Sequence, residues 1–189
     1  MSSIYLGLVH YPVYNKDGKT ITSGITNLDV HDLGRSALTY NIRKVYFVHP
    51  HERQKEIICK IIAFWQTEMA VFFNYHRVEA LQLIDFSGSI DDTVKLIKNQ
   101  EKNEPIVVTT TARLHQNRIS FPQLRKLIRN GESPILLLFG TGNGLHASVH
   151  DQAHFILEPI QARADYNHLS VRSAVAIVLD RLFSYEYKE

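Results

Sequence analysis

Short apolar runs alternate with longer amphipathic segments along this chain. The apolar runs predict six strands, at Ile4–His10, Val45–Val48, Leu81–Phe86, Pro105–Thr111, Pro134–Phe139 and Phe155–Ile160. Between them, apolar positions recur at helical spacing in segments from Asn27 to about Asn41, Glu52 to Val78, Ser89 onward, Phe121 to Asn130, and Ser170 to Tyr185. Because strands and helices alternate, the pattern predicts an α/β fold with a mostly parallel six-stranded sheet and helices on both faces.

Glycines cluster directly behind the fifth predicted strand. Gly140, Gly142 and Gly144 follow the run Pro134–Phe139 in a Gly-x-Gly-x-Gly loop. Glycine after a strand either turns the chain where a Cβ would clash or lets the backbone approach a ligand closely. In the usual dinucleotide-binding domain such a loop comes first, whereas here it comes late. We therefore expect a nucleotide-type ligand in a different α/β arrangement.

Three loops in the second half of the chain follow predicted strands. They are Thr109–Arg113, Gly140–Leu145 and Glu158–Leu169. In open parallel sheets, ligands bind beyond the carboxyl ends of the strands, so the three loops can line one pocket. Each loop can also be merely a tight connection, but the third is long, and long loops in compact domains are more often functional.

Composition and charge limit the functions that remain. The 189 residues are expected to form a single domain, 1–189, and the net charge of +2 gives no global field of the kind that strongly basic nucleic-acid binders have. The single cysteine, Cys59, excludes an internal disulfide and fits the cytoplasm. The first apolar run lacks a basic leader, and no run is long enough to span a membrane.

Basic residues and histidines form two further patterns. The basic residues that follow the fourth strand are either a solvated helix face or a surface that contacts RNA phosphates: Arg113, His115, Arg118, Arg125, Lys126 and Arg129. The histidines are expected to be buried with partners or to face solvent, because neither set has the ligands of a metal site: His49 with His51, and His146 with His150 and His154. No metal is predicted.

The last predicted helix is apolar on two sides. Its core stripe contains Val175, Val178 and Leu182, while Ile177 and Phe183 extend the apolar surface to a second face. A helix of this kind is buried on both sides. The second face lies either at a subunit interface, which predicts a homodimer, or beneath the long helical region before it.

Four segments in this order resemble the SPOUT superfamily of RNA methyltransferases. They are Thr109-Thr110-Thr111, the stretch from Leu137 to Leu145, the stretch from Ile156 to Ile160, and the stretch from His168 to Leu179. The resemblance covers the whole chain and is closest to a bacterial family of stand-alone SPOUT domains. It implies a deep C-terminal trefoil knot, a homodimer, S-adenosylmethionine (SAM) as cofactor and RNA, either tRNA or rRNA, as substrate.

The resemblance also implies which residues form the site. The cofactor would be held largely through backbone groups of the three loops and the last helix, at Thr109, Thr110, Thr111, Phe139, Gly140, Gly142, Gly144, Leu145, Glu158, Pro159, Ile160, Leu169, Ser170 and Ala174. The residues expected to contact RNA are Arg113, Arg118 and Arg163.

Arg35 is the catalytic candidate. It resembles an arginine in the N-terminal motif of ribose-directed relatives, where the cation assists the target hydroxyl; it is otherwise a solvated helix residue. The expected acceptor is a ribose 2′-hydroxyl ahead of a base nitrogen. Ribose methyltransferases commonly carry Asn-Leu-Ser, and this chain has His168-Leu169-Ser170, while its glycine loop lacks their glutamate. The alternative function is a non-catalytic nucleotide- or RNA-binding module on the same fold.

Overall fold

The computed structural model describes residues 1–113, 115, 118–161, 163 and 166–184. Its strands are β1 (Ile4–Val9), β2 (Val13–Tyr14), β3 (Thr20–Ile21), β4 (Lys44–Val48), β5 (Ile84–Ser87), β6 (Ile106–Thr109), β7 (Arg118–Ile119), β8 (Ile135–Gly140) and β9 (Phe155–Leu157). Its helices are α1 (Asn27–Thr39), α2 (Glu52–Trp65), α3 (Glu68–Phe73), α4 (Tyr75–Leu81), α5 (Ile90–Glu101), α6 (Phe121–Asn130), α7 (Ala147–Asp151) and α8 (Val171–Phe183).

The main sheet has seven strands in the order β5-β4-β1-β8-β6-β9-β7. Every neighbouring pair is parallel, which confirms the predicted α/β class. The predicted number of six strands is wrong. The seventh strand, β7, has only two residues, and its Ile119 pairs with Leu157 of β9. A segment of two residues carries no periodic pattern, so only its pairing with β9 defines it as a strand.

The core lies on both faces of this sheet. Alternate residues of a strand face opposite sides, so Leu6, Leu8 and Leu137 pack with α1, α6 and α8, while Leu136 and Leu138 pack with α5 and α7. The central strands β1 and β8 are buried almost throughout. Their continuous apolar runs are therefore what a parallel sheet covered on two faces requires.

The expected long helix from Glu52 to Val78 is three helices. Thr67 caps α3 by accepting a hydrogen bond from the backbone N–H of Ala70, and Asn74 caps α4 by accepting one from Arg77. These polar side chains satisfy backbone donors that a continuous helix would bond internally, so the chain restarts at each of them. Because α4 continues to Leu81, the third predicted strand begins later than expected, at Ile84.

Helix α8 packs against α1, α6 and β8. The region from α2 to α4 instead packs against α1 and within itself, so it is not the main cover of α8. Within one chain, Val175, Val178 and Leu182 are buried, while Ile177 and Phe183 stay half-buried. The helix ends at Phe183, and Tyr185, where the predicted helix ended, lies outside the described residues.

Candidate functional site

A cleft with a volume of about 1060 Å³ opens at the carboxyl ends of β6, β8 and β9. Parallel strands place their following loops at one edge, which is where open α/β sheets bind ligands. The three loops of the sequence prediction all contribute to the cleft, together with residues before and within α1 and the first turns of α8. Its walls include Ser23, Asp29, Thr110, Arg113, Phe139, Gly144, Leu145, His150, Glu158, Ile160, Leu169 and Arg172.

The structure brings most of the predicted cofactor residues together. Only Thr109 and Pro159 of that set lie outside the lining of the cleft. Thr109 is fully buried at the end of β6. Of the three arginines predicted to contact RNA, Arg113 lines the cleft, whereas Arg118 and Arg163 are exposed elsewhere.

At two positions of the glycine loop, close contacts within the protein require glycine. A Cβ on Gly142, whose φ is +58°, would lie 2.6 Å from the carbonyl oxygen of Tyr14, and one on Gly140 would lie 2.6 Å from the backbone nitrogen of Leu145. Of the two reasons for glycine after a strand, Gly140 and Gly142 therefore match the first, a turn where a Cβ would clash. Gly144 is different: its φ is +103°, and a Cβ there would meet no atom within 4 Å.

Strand β2 holds the glycine loop in place. The backbone N–H of Asn143 donates to the carbonyl oxygen of Tyr14 (2.8 Å), and that of Tyr14 donates to the carbonyl oxygen of Gly144 (2.9 Å). The Tyr14 hydroxyl also accepts a hydrogen bond from the N–H of Ala147 at the start of α7. These hydrogen bonds hold the loop on the side that faces β2, and its other side faces the cleft.

Side chains connect the three loops to one another. The amide of Asn167 in the third loop donates to the carbonyl oxygen of Ala112 in the first (3.3 Å), and the Thr110 hydroxyl donates to the carbonyl oxygen of Leu138 (3.0 Å). The Glu158 carboxylate accepts from the N–H of Phe121, at the N-terminus of α6 (2.7 Å). Negative charge is stabilised at that helix end, so the Glu158 side chain anchors the loop rather than being free for a ligand.

An ion-pair clamp joins α1 to α8 at the rim of the cleft. The Arg172 guanidinium lies 3.4 Å from Asp29 Oδ1 and 3.3 Å from Asp32 Oδ2. Asp29 is buried and also accepts a hydrogen bond from the hydroxyl of Thr26, the residue that caps α1. Arg172 carries no local sequence signal for this role, because its partners in α1 are distant in the chain.

Arg35 does not line the cleft of its own chain and is exposed on α1. It follows Asp29, which does line the cleft, by six residues. Six residues of α-helix advance about 9 Å and turn the side chain about 120° away around the axis. Arg35 therefore faces away from the cleft that Asp29 enters.

Two histidines lie in the cleft, at positions that their spacing in the sequence did not indicate. His150 and His115 both line it, with ring centroids 5.2 Å apart. Nδ1 of His150 lies 2.9 Å from the hydroxyl oxygen of Thr109. Burial, and next the neighbouring His115, lower the pKa of His150 below its ordinary value. Its spacing from His146 and His154 gave no signal for this position.

A buried histidine supports the wall of the cleft. Nδ1 of His10 hydrogen-bonds the Ser23 hydroxyl (2.9 Å), which in turn hydrogen-bonds the Thr141 hydroxyl. Ser23 and Thr141 both line the cleft, and His10 is fully buried at the end of β1. Burial, and next the nearby His49, lower the pKa of His10 to about 4.

The protein should lose stability in mild acid because of His10. An unfolded histidine has a pKa of about 6.5, so between that pH and 4 the unfolded chain binds a proton that the folded chain does not. The free energy of unfolding should then fall by about 3 kcal/mol from this group as the pH drops through that window. Denaturant unfolding from pH 7 to pH 4 measures it. His10→Asn, which keeps a donor for Ser23 without titrating, should give a shallower dependence; an unchanged slope would contradict the assignment.

The described residues contain no group of three or more histidine, cysteine, aspartate or glutamate side chains arranged to hold a metal ion. Among the helices of the same residues, none has the length and apolar character needed to cross a membrane.

The chain is similar to known proteins along most of its length. A family described as SAM-dependent RNA methyltransferase matches residues 3–184. The chain is 38% identical over 182 residues to an uncharacterized protein of Aquifex aeolicus, covering 96% of this chain and 89% of that protein. It is 37% identical over 180 residues to a tRNA (guanine-N(1)-)-methyltransferase of Oleidesulfovibrio alaskensis, covering 95% of this chain but only 42% of that protein.

The fold has solved counterparts. The TrmH/SpoU tRNA-modifying enzyme of Aquifex aeolicus superposes with a TM-score of 0.59 at 11% sequence identity, over 96% of this chain and 74% of that one. At this identity the likeness concerns the fold, which is the one that the SPOUT resemblance implies. Since the family match spans nearly all of the described residues, the chain belongs to the family of SAM-dependent RNA methyltransferases and has the SPOUT type of fold.

Proposed function

We propose that this protein transfers a methyl group from SAM to a ribose 2′-hydroxyl of tRNA or rRNA, in the cytoplasm and as a homodimer. The observation that carries the proposal is the single cleft at the carboxyl ends of β6, β8 and β9, built from the loops whose motifs resemble the SPOUT cofactor loops. The family supplies the reaction type. The acceptor atom, the kind of RNA and the assembly are the parts that we add.

The residues of the cleft fit SAM. Its volume of about 1060 Å³ lies at the upper end of the usual range for small-molecule sites, so a nucleoside and part of a second substrate can be accommodated. Phe139, Leu145, Ile160 and Leu169 offer apolar surface for an adenine ring, and open space beside Gly144 lets the backbone approach a ligand. When bound, SAM supplies a methyl group on a positively charged sulfur, which is already activated for transfer.

Asp151 adds a carboxylate to the lining, whereas the carboxylate of Asp29 is paired with Arg172. A carboxylate such as Asp151 favours a ligand that carries an ammonium and a sulfonium, as SAM does. Because the donor is activated, the protein contributes mainly orientation of the two substrates and handling of the proton that the acceptor loses.

The choice of ribose oxygen rests on Arg35 and its surroundings in the sequence. A hydroxyl is a poor nucleophile until its proton leaves, and a nearby cation lowers the cost of the developing negative charge. The relative from Oleidesulfovibrio alaskensis is named for methylation of a guanine nitrogen, but this chain corresponds to less than half of it. That name therefore supports tRNA as a substrate more directly than it supports the acceptor atom.

Two features of the fold support the knot and the dimer. After β9, which lies next to the edge strand β7, the chain returns to the centre of the sheet, where α8 packs against β8 and α1. A C-terminal knot needs a return of this kind. Arg35 faces away from its own cleft, so a catalytic role requires the cleft of a second copy.

Titration calorimetry tests the cofactor. SAM should bind with one site per chain, whereas ATP, which shares only the adenosine portion, should bind far more weakly. Equal binding of the two nucleotides, or binding of ATP alone, would favour a binding module over a methyltransferase.

Transfer of labelled methyl groups to bulk RNA, followed by mass spectrometry of the nucleosides, tests the acceptor. A 2′-O-methylated nucleoside that is missing from cells lacking the protein is the expected product. A base-methylated nucleoside would contradict the assignment of the ribose.

Sedimentation at low micromolar concentration should give about twice the chain mass of 21.7 kDa. The half-buried apolar face of α8 is the proposed contact, so Ile177→Glu should shift the protein toward monomer. A monomeric wild-type protein would contradict the proposed dimer interface and the proposed site shared between two subunits.

A further inference from the structure

We propose that His150 accepts the proton that the RNA acceptor group loses when it is methylated. This inference rests on the proposed methyl transfer to RNA and adds a catalytic residue that neither the family match nor the motifs assign. It starts from a histidine of α7 that is held by a buried residue at the end of β6 and lines the cleft.

His150 is placed by a buried threonine. The Thr109 hydroxyl oxygen lies 2.9 Å from Nδ1 of His150 and 3.5 Å from the carbonyl oxygen of Phe155. The hydroxyl has one proton, and we assign it to that carbonyl, so that Nδ1 of His150 donates to the hydroxyl oxygen. This assignment puts the imidazole proton on Nδ1. Thr109 is fully buried, so the contact is shielded from water and holds the ring in one orientation.

The other ring nitrogen is left for a ligand. His150 lines the cleft, and among the described residues its Nε2 has no hydrogen-bond partner. A neutral imidazole with its proton on Nδ1 carries a lone pair on Nε2, which is the form that takes up a proton. The arrangement of buried hydroxyl, imidazole and open cleft is the one expected of an oriented general base.

The groups around the ring keep it neutral before the reaction. His115 faces it at 5.2 Å, Arg113 lies on the same loop as His115, and Asp151 is its neighbour in α7. Burial and His115 lower the pKa of His150, and Asp151 opposes them only in part. His150 is therefore in its proton-accepting form at neutral pH.

The charges balance during transfer. A bond forms between the acceptor oxygen and the methyl carbon, the carbon–sulfur bond breaks with its electron pair on sulfur, and the acceptor proton moves to Nε2 of His150. The positive charge that leaves sulfur reappears on the imidazolium, so the net charge in the cleft does not change. A ring N–H acceptor would lose its proton in the same way, so the role of His150 holds for either acceptor.

The test compares His150→Asn with His146→Ala. Asparagine keeps a donor for Thr109 but cannot take up a proton. His146 caps α7 and lies outside the cleft lining, so its replacement reports loosening of that helix without loss of the base. We expect His150→Asn to lower the single-turnover rate of methyl transfer by about 10²-fold or more, with SAM affinity by calorimetry close to wild type, and His146→Ala to have a much smaller effect.

Two further readouts separate a base from a structural role. Nuclear magnetic resonance of the histidine rings in the ligand-free protein should show His150 with its proton on Nδ1 and a pKa below 6.5. Added imidazole should restore part of the rate of His150→Ala and none of the rate lost in His146→Ala.

Different results would overturn the proposed function and the proposed role of His150. A wild-type protein that methylates no RNA overturns both the proposed function and this inference. Wild-type transfer with an unchanged rate in His150→Asn, a ring proton on Nε2, or a rate loss that simply follows SAM affinity overturns this inference alone.

Discussion

Replacing Arg35 with alanine should lower the single-turnover rate of methyl transfer to RNA by about 10²-fold or more. The guanidinium is expected to stabilise negative charge on the ribose oxygen as it attacks, and alanine leaves that charge uncompensated. Affinity for SAM should stay close to wild type, because the loops after β6, β8 and β9 form the proposed cofactor site and Arg35 is directed at the acceptor. Lysine should rescue the rate only in part, since its ammonium lacks the planar fork of arginine.

The matched control is Arg53→Ala, which removes another exposed arginine, on α2, that also lies outside the cleft lining. It should leave the rate unchanged. A wild-type rate in Arg35→Ala would contradict the catalytic assignment and leave Arg35 a solvated helix residue, and the search would move to Arg113 and Arg163.

Mixing two inactive variants tests whether the site is shared. Arg35→Ala retains an intact cleft, whereas Gly144→Val fills the open space beside the glycine loop. If Arg35 serves the cleft of the partner, mixed dimers contain one complete site and the mixture regains activity. No recovery in a mixture that forms mixed dimers would place Arg35 and its cleft in one subunit.

Replacing Gly142 with alanine should destabilise the protein and weaken SAM binding together. The left-handed backbone at φ +58° costs a non-glycine residue about 1–2 kcal/mol. In addition, the new Cβ would lie 2.6 Å from the Tyr14 carbonyl oxygen, so β2 and the loop must separate. A displaced loop no longer presents its backbone to the cleft, and affinity should fall by roughly tenfold or more, which corresponds to about 1.4 kcal/mol. Thermal unfolding and calorimetry measure the two effects.

Gly18→Ala is the control for the backbone conformation alone. Gly18 also has a positive φ, +73°, and it lines the cleft, but a Cβ there would meet no protein atom within 4 Å, so the glycine loop stays in place. Gly18→Ala should share the conformational cost and lower SAM affinity less than Gly142→Ala does. Equal losses in both variants would show that the contact with Tyr14 does not hold the loop.

The fold followed from the sequence wherever a signal was local and repeated. The apolar runs of β1 and β8 predicted buried parallel strands because a strand covered on both faces needs apolar residues at successive positions. Strand β7 escaped prediction because two residues cannot show a period, and only their pairing with β9 defines them. The helix breaks at Thr67 and Asn74 also had local signals, since both residue types favour helix caps. The apolar residues around them nevertheless led to the prediction of one long helix.

The site was predictable as a set of loops but not in its side-chain roles. Three loops after parallel strands had to meet at one edge, and they do. The reason for Gly142 lies in Tyr14, and the partner of Arg172 is Asp29, so both depend on contacts between distant segments. His150 owes its placement to Thr109 on another strand. No spacing within a single segment encodes such pairs.

The clamp between Arg172 and Asp29 also sets when the protein can first work during its own synthesis. The two residues are 143 positions apart, and one wall of the cleft belongs to α8. All seven strands of the main sheet are made before that helix, but α8 completes the core on one face of the sheet as well as one wall of the cleft. A complete cleft therefore forms only once α8 has left the ribosome, and we expect a chain truncated before Val171 to lack both the SAM site and part of the core.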